Sequence, residues 1–539
     1  MKKVKELLLD RNYIFVLFFI FIIIYSLFVY KDFGISYDEG IEYTSSKVSA
    51  KRIYSALGIL DKAPESVKKA QEIENYRDKY YGVAAQLPFV VLDYFPEICG
   101  SNTPAFWYMR HLYVRLMFIL AGFCFYLILK DIIKSKPLLL LSLILFFFHP
   151  RISAHSFYNI KDSIFLSFFT ISSYFLFKFI KNKKIGDLIV FSFVTAITIN
   201  TRTMGILIPG YFAFWILTNL KKDFEENVNF AVIFVVFLVG FLYLIWPVLW
   251  GNPIAAFGKV FKTFSKYSWG GSVVYNGELI KGRNVPATYI PVWILISSSH
   301  SHILVFILGL ILTPIILFNF LKNRNYSYSF YVLLFSIYSI VASLGAVMIF
   351  HSTLYDDWRH LYYIYPSLLI TGVLGLNFLL ERKAKLFYPI VFCVVLSLIQ
   401  TFIWMGKNHP HYYVYFNPIA GKNWDVKWDR DFWGLSAKQL IEKFIEKNDP
   451  PNADGKYLLL YNHAGRSNIK LFPPDVKDKF EFIEDYNKAQ YIIGDYRTVM
   501  GDYPEHKYED FEEYLNIKVD GKKIMTLFKR VDDNSKEEF

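Results

Sequence analysis

Residues 13–30 read YIFVLFFIFIIIYSLFVY, and that stretch decides the fold class. It holds no charge, and as a helix rising about 1.5 Å per residue it reaches across most of a hydrocarbon core about 30 Å thick. Lys2, Lys3, Lys5 and Arg11 precede it, and no small-residue cleavage site follows, so an uncleaved first span is expected. Further apolar runs begin near Leu112, Pro137, Ser163, Ile185, Gly205, Val228, His302, Ser327, Leu361 and Leu386, giving about eleven spans in 539 residues. The chain is 54% hydrophobic and 19% aromatic, which suits lipid-facing helices with aromatic belts. Its three cysteines, Cys99, Cys124 and Cys393, predict neither a disulfide framework nor a cysteine metal site.

The net charge of +12 could suggest nucleic acid, but the cations sit in short clusters between the apolar runs. Besides the amino terminus, these are Lys130 with Lys134 and Lys136, Lys181 with Lys183 and Lys184, Lys221 and Lys222, Lys322 with Arg324, and Arg382 with Lys383 and Lys385. They fall on every second loop, which the positive-inside rule reads as cytoplasmic. The expected architecture is an α-helical polytopic membrane protein, amino terminus in and carboxy terminus out. A membrane part spans residues 1–407, with a large first outer loop at 31–111. A small extracytoplasmic α/β domain covers residues 408–539. Within that domain Lys456 to Tyr461, Ala489 to Ile493 and Ile517 to Leu527 alternate like strands, Lys438 to Lys447 is an amphipathic helix, and Asp520-Gly521 signals a hairpin.

The predicted outer face gathers the unusual polar groups. Asp38 and Glu39 lie between Gly34 and Gly40, just past the first span. They suit a solvated loop or a general base at a membrane boundary. Arg151, Lys161 and Asp162 crowd between two spans, where lipid would charge several kcal/mol for each unless protein or water receives them. Arg110 with His111, Arg202, and Arg359 with His360 place cations where the outer face is normally depleted of them. Any one could snorkel to the interface; several on one face point to a convergent anion site, since Arg grips phosphate with two donors.

These residues resemble motifs of the C-type glycosyltransferases of the protein O-mannosyltransferase and aminoarabinose-transferase kind (glycosyltransferase family 39 and relatives). The similar segments are the Asp38-Glu39 pair, His149 to Asp162, Trp246 to Pro253, Tyr355 to Pro366, His409 to Pro418 and Asp431 to Gly434, in that order. The resemblance implies a plasma (inner) membrane enzyme that transfers a sugar from a polyprenyl-phosphate donor to an extracytoplasmic protein, lipid or glycan, with inversion. It implies Asp38 as the base, with Glu39 orienting the acceptor or supporting Asp38. Donor-phosphate contacts would fall to Arg110, Arg151, Lys161, Arg202, Arg359 and His360. Asp162 would hold a divalent metal, Mg or Mn, or pair with Lys161. A transporter or flippase of lipid-linked saccharide is the competing function; it predicts charges within the spans and paired broken helices in matching halves. A membrane scaffold is a third, and leaves Asp38, Lys161 and Arg359 unexplained. Ile41 to Leu57 is expected as a surface helix with Val48, Ile53 and Leu57 on the membrane, and Phe257 to Pro291 as a lid or an ordered loop.

Overall fold

The computed structural model describes residues 13–265 and 269–531; Lys2, Lys3, Lys5 and Arg11 lie outside the described residues. Each of the eleven apolar runs forms helix, because in lipid only intrasegment hydrogen bonding satisfies the backbone. Seven of the described helices are long and apolar enough to cross a membrane: 104–129, 162–182, 224–245, 300–322, 328–349, 359–381 and 387–407. The pair 136–147 and 150–158 adds an eighth span if counted together, and is bent by 60° where Pro150 restarts the helix after His149. Three shorter apolar helices, 13–29, 185–201 and 203–219, complete the membrane part.

The apolar helices divide by what they face. Asp162–Asn182, here α1, and Arg359–Glu381 are 72% and 83% buried over their most apolar windows. Phe224–Ile245 is 17% buried, and its Val232, Val236 and Leu244 lie on the outside. Apolar side chains outside and serine, histidine and arginine inside is the arrangement lipid selects. In the bent pair every residue of Pro150–Tyr158 is buried. Arg115, also fully buried, donates from Nε to Ser26 Oγ at 2.8 Å and from Nη1 to Ser156 Oγ at 2.6 Å, and stacks on Phe157. This cation therefore has protein partners at a depth where lipid would offer none.

The segment after the first span is helical from Tyr37 to Ala56 (α2). Of the residues expected on the membrane, Leu57 is exposed, whereas Val48 is buried against Ile73 and Tyr76. The first loop folds back over its own helix, so that side is covered by protein.

At the other end of the chain a five-stranded sheet has the order β4-β3-β5-β7-β6, with β3 Tyr457–Leu460, β4 Phe480–Ile483, β5 Tyr491–Asp495, β6 Phe511–Val519 and β7 Lys522–Arg530. A separate hairpin of β1 Ser272–Tyr275 and β2 Glu278–Lys281 precedes it. Strand β3 is parallel to β4 and β5; β5, β7 and β6 run antiparallel, and Asp520-Gly521 turns the last hairpin as its sequence signals. The helix Ala437–Lys447 lays Leu440, Ile441 and Phe444 on the sheet, where Phe444 meets Tyr457, Phe480 and Tyr491 edge-on. Strand β4 carries no alternation strong enough to have been expected.

One polar clamp locks this domain to the helical part, and a second holds the domain's own first segment to the sheet. Asn468 accepts from the Ile35 backbone N–H at 2.8 Å and donates to the carbonyls of Ile35 and Gly434 at 3.2 and 3.1 Å. Its tight seat requires Gly34: a Cβ there would stand 2.4 Å from both Asn468 Oδ1 and the Leu435 carbonyl. Arg430 donates to the carbonyls of Lys523 and Val499 at 2.6 and 2.7 Å, and to that of Gly501. The Asn468 clamp brings the sheet domain against the start of α2, and so against Asp38.

Candidate active site

A cavity of about 420 Å³ opens where α2, α1, the turn at 200–204 and the loop 351–358 meet. Its lining is part polar, with Asp38, Lys161, Asn200, Arg202, Trp246, Arg359 and His360, and part apolar, with Met204, Phe261, Phe264, Val347 and Phe350 among others. Gly82 completes the polar wall because the Asn200 backbone and side chain lie where a Cβ would go.

Asp38 sits in the first turn of α2, and its neighbour sets that turn. Glu39 is fully buried and accepts from the Ser36 N–H at 2.8 Å and from Ser36 Oγ at 3.1 Å, closing the helix start. His111 Nε2 faces its other oxygen at 3.2 Å, and Arg110 donates to the Glu39 carbonyl at 3.0 Å and to Gln86 at 3.1 Å. Glu39 thus fixes the helix that presents Asp38, while Asp38 itself remains 32% exposed at the cavity.

Arg359 is the hub. Its Nη1 donates to Asp162 Oδ2 at 2.9 Å and to Asp38 Oδ2 at 3.3 Å; its Nη2 donates to Asp356 Oδ2 at 3.2 Å. Its guanidinium also lies over the rings of Trp433 and Tyr355, 4.6 and 4.8 Å from their centroids. Asp162 gives its second oxygen to Arg202 and takes a further bond from Asn159 at 3.1 Å. Lys161 pairs instead with Glu42 at 2.5 Å and lies 3.4 Å from the centroid of the Tyr81 ring. Asp162 therefore pairs with arginines and not with Lys161.

The loop before Arg359 is shaped by two consecutive left-handed residues, Asp356 at φ +56° and Asp357 at φ +63°. Aspartate tolerates that region better than most side chains. The reversal sends the two carboxylates apart: Asp356 toward Arg359 and Arg497, Asp357 toward Arg151 at 3.2 Å and the Tyr362 hydroxyl at 2.7 Å. Burial pushes Asp357 up to about 6, against the pull of Arg151; it also raises Asp356, against Arg497 and Arg359.

The cavity lining includes five buried nitrogens without a hydrogen-bond partner: Asn200 Nδ2, Arg202 Nε, Trp246 Nε1, Arg359 Nε and His360 Nδ1. No oxygen of a lining residue is in that position. The cations that line the cavity, Lys161, Arg202 and Arg359, suit an anionic guest.

Of the residues singled out from sequence, Asp38, Lys161, Arg202, Arg359 and His360 line this one cavity. Asp162 lies directly behind it. Arg110 and Arg151 are fully buried and do not line it: Arg151 is held by Asp357, the Tyr415 carbonyl at 3.1 Å, and the faces of Trp293 and Phe416. For a metal at Asp162 the donor set does not fit. Two guanidiniums already occupy its oxygens, and among the described residues no group of three His, Cys, Asp or Glu side chains is placed to hold a metal ion. The sequence reading missed Trp246 as a lining donor and the apolar wall. The segment expected as a lid supplies part of that wall through Phe261 and Phe264, and its Trp269 stacks on Tyr355 at 4.2 Å.

Comparison with known proteins agrees with the motifs. Residues 95–246 match the family model of dolichyl-phosphate-mannose-protein mannosyltransferases. Among solved structures, ArnT from Cupriavidus metallidurans in the apo state is similar at 12% identity and a TM-score of 0.47, over 96% of this chain and 98% of that one. The Archaeoglobus fulgidus oligosaccharyltransferase in its apo form is similar at 12% identity and a TM-score of 0.39, over 77% of this chain and 62% of that one. No curated protein matches the chain. The family match takes in the bent, buried segment 150–158 together with Lys161, Asp162, Arg202 and Trp246, so that residues 95–246 are similar to the dolichyl-phosphate-mannose-protein mannosyltransferases, the glycosyltransferases that the sequence motifs resemble.

Proposed function

We propose that this protein transfers a sugar from a polyprenyl-phosphate donor to a hydroxyl acceptor at the extracytoplasmic face of the plasma membrane, with inversion at the anomeric carbon. The observation that carries the reading is the cavity itself, which sets the Asp38 carboxylate beside Lys161, Arg202 and Arg359 and adds apolar lining from Met204, Phe261, Phe264, Val347 and Phe350. The apolar side accommodates the start of a polyprenyl chain. Lys161, Arg202, Arg359 and His360 receive the phosphate, while Arg110 and Arg151 hold the surrounding helices.

The chemistry follows. The acceptor oxygen attacks the anomeric carbon from the side opposite the phosphate, and the carbon–oxygen bond to the phosphate breaks. Asp38 takes the acceptor proton, and the bridging electron pair leaves on the polyprenyl phosphate, whose charge the guanidiniums stabilise. Arg359 touches both ends of this exchange, since it binds Asp38 and lines the phosphate wall. Asp162 keeps Arg359 and Arg202 side by side despite their like charge.

The test is turnover of radiolabelled undecaprenyl-phosphate sugars by the purified protein in nanodiscs with a membrane extract, beside Asp38→Asn. We expect transfer by the wild type and a loss of about 10²–10⁴-fold in the folded variant. Equal rates in both remove Asp38 as the base. No turnover by either, with lipid-linked saccharide crossing a vesicle membrane, replaces the transferase by a transporter.

A further inference from the structure

The sheet domain reaches the charged network of the site through Arg497. Arg497, just past β5, sends Nη2 to both oxygens of Asp356, at 2.9 and 3.0 Å. Asp356 in turn binds Arg359 at 3.2 Å, and Arg359 binds Asp38. The guanidinium of Arg497 lies 5.5 Å from the Trp269 ring and 5.8 Å from the Tyr37 ring, and Tyr37 immediately precedes Asp38. Asp356 is 2% exposed, so water does little to screen its charge.

Along this chain charges alternate: Arg202, Asp162, Arg359, Asp356, Arg497, with Asp38 as a side branch from Arg359. Arg359 faces three carboxylates and shares them with two other arginines. Remove Arg497, and Asp356 becomes an uncompensated buried anion whose nearest remaining cation is Arg359. The gain in attraction draws Arg359 toward Asp356 and away from Asp38 and the phosphate wall.

We infer that Arg497 is a positioning residue for the reaction: by neutralising Asp356 it leaves Arg359 available to Asp38 and the donor phosphate, so the sheet domain completes the site. This inference rests on the transferase reading. Arg497 need not touch either substrate.

A mechanical bridge and a charge balance predict different results. If the Arg497–Asp356 pair merely ties two parts of the chain together, Arg497→Ala and Asp356→Asn sever the same tie and do the same damage. If Arg497 acts by neutralising Asp356, only its loss leaves a charge to mislead Arg359. Asparagine keeps the left-handed turn, so Asp356→Asn preserves the backbone. We expect Arg497→Ala to lower kcat about tenfold or more, and Asp356→Asn and the double variant to stay within roughly threefold of wild type. Arg497→Lys, which keeps the charge but not the flat fork, falls between. Equal losses in the two single variants, or a double variant as poor as Arg497→Ala, overturn the inference; so does an unaffected Arg497→Ala.

A structure of Arg497→Ala, or of Arg497→Lys if the alanine variant does not fold, gives a second readout independent of turnover. Arg359 Nη1 should have left Asp38 for Asp356, and an unmoved Arg359 overturns the inference. Absence of turnover in the wild type, by contrast, sinks the transferase reading and leaves this structural comparison to decide the role of Arg497.

Discussion

Asp162→Asn probes the charge lattice most directly. The carboxylate is 1% exposed and holds two guanidiniums, one through each oxygen, with Arg359 at 2.9 Å. Asparagine preserves the shape and can still accept one bond, but the site gains a net positive charge, and the buried Arg359 and half-buried Arg202 face each other without the anion between them. At about 4 Å and an effective dielectric near 20, each lost attraction is about 4 kcal/mol before relaxation. Breaking a buried pair by removing one partner costs about 3–5 kcal/mol in practice. We expect a loss of that size in stability, read as a large fall in the melting temperature of the protein in detergent. Adding Arg202→Gln to Asp162→Asn should recover part of it, because one of the two uncompensated cations is gone. A single variant within about 1 kcal/mol of wild type refutes the lattice, as does a double variant whose losses simply add.

Gly34→Ala should loosen the sheet domain: its new Cβ meets Asn468 Oδ1 and the Leu435 carbonyl at 2.4 Å, so limited proteolysis should release the carboxy-terminal part faster than in wild type. Burial pushes His411 down to about 4, with Gln439 bonded to its Nε2 at 2.7 Å. The stability of this neutral form is complete above the ordinary value of 6.5 and is lost as pH falls toward 4, by up to about 3 kcal/mol. Melting temperature should therefore drop more steeply between pH 7 and pH 5 in wild type than in His411→Gln; parallel curves contradict the assignment. Ala346→Trp should crowd the apolar wall of the cavity and raise the KM for the lipid-linked donor by about tenfold, with melting unchanged. An unaltered KM would put the prenyl chain elsewhere.

The sequence shows the membrane helices because lipid permits few alternatives: a long uncharged run must satisfy its own backbone, and all eleven do so as helices. The site was half legible for a related reason. Arg151, Arg202 and Arg359 all break the charge pattern of their loops, and that signal reports that a cation has been placed where it needs a partner. It does not report which partner. Arg202 and Arg359 stand at a cavity, whereas Arg151 is spent on Asp357, Tyr415 and two aromatic faces. Val48 misleads similarly, since its apolar side of α2 meets the first loop and not lipid. Arg497 left no mark at all. A surface arginine in a polar domain is unremarked until the fold sets it against a buried aspartate more than a hundred residues away in sequence.

The Asp356-Asp357 reversal has a further consequence, for how this protein can vary. Two adjacent positions each keep a left-handed backbone and each supply an anion, one to the working cation Arg359 and the other to the scaffold cation Arg151. Glutamate keeps the charge but fits the backbone poorly; asparagine and glycine fit the backbone but drop the charge. At 357 both demands hold at once, because Arg151 is fully buried and pairs with Asp357, so drift there stops at aspartate. At 356 the charge answers to Arg497, so asparagine is the open path, and a lineage can lose Asp356 before Arg497 but not Arg497 before Asp356.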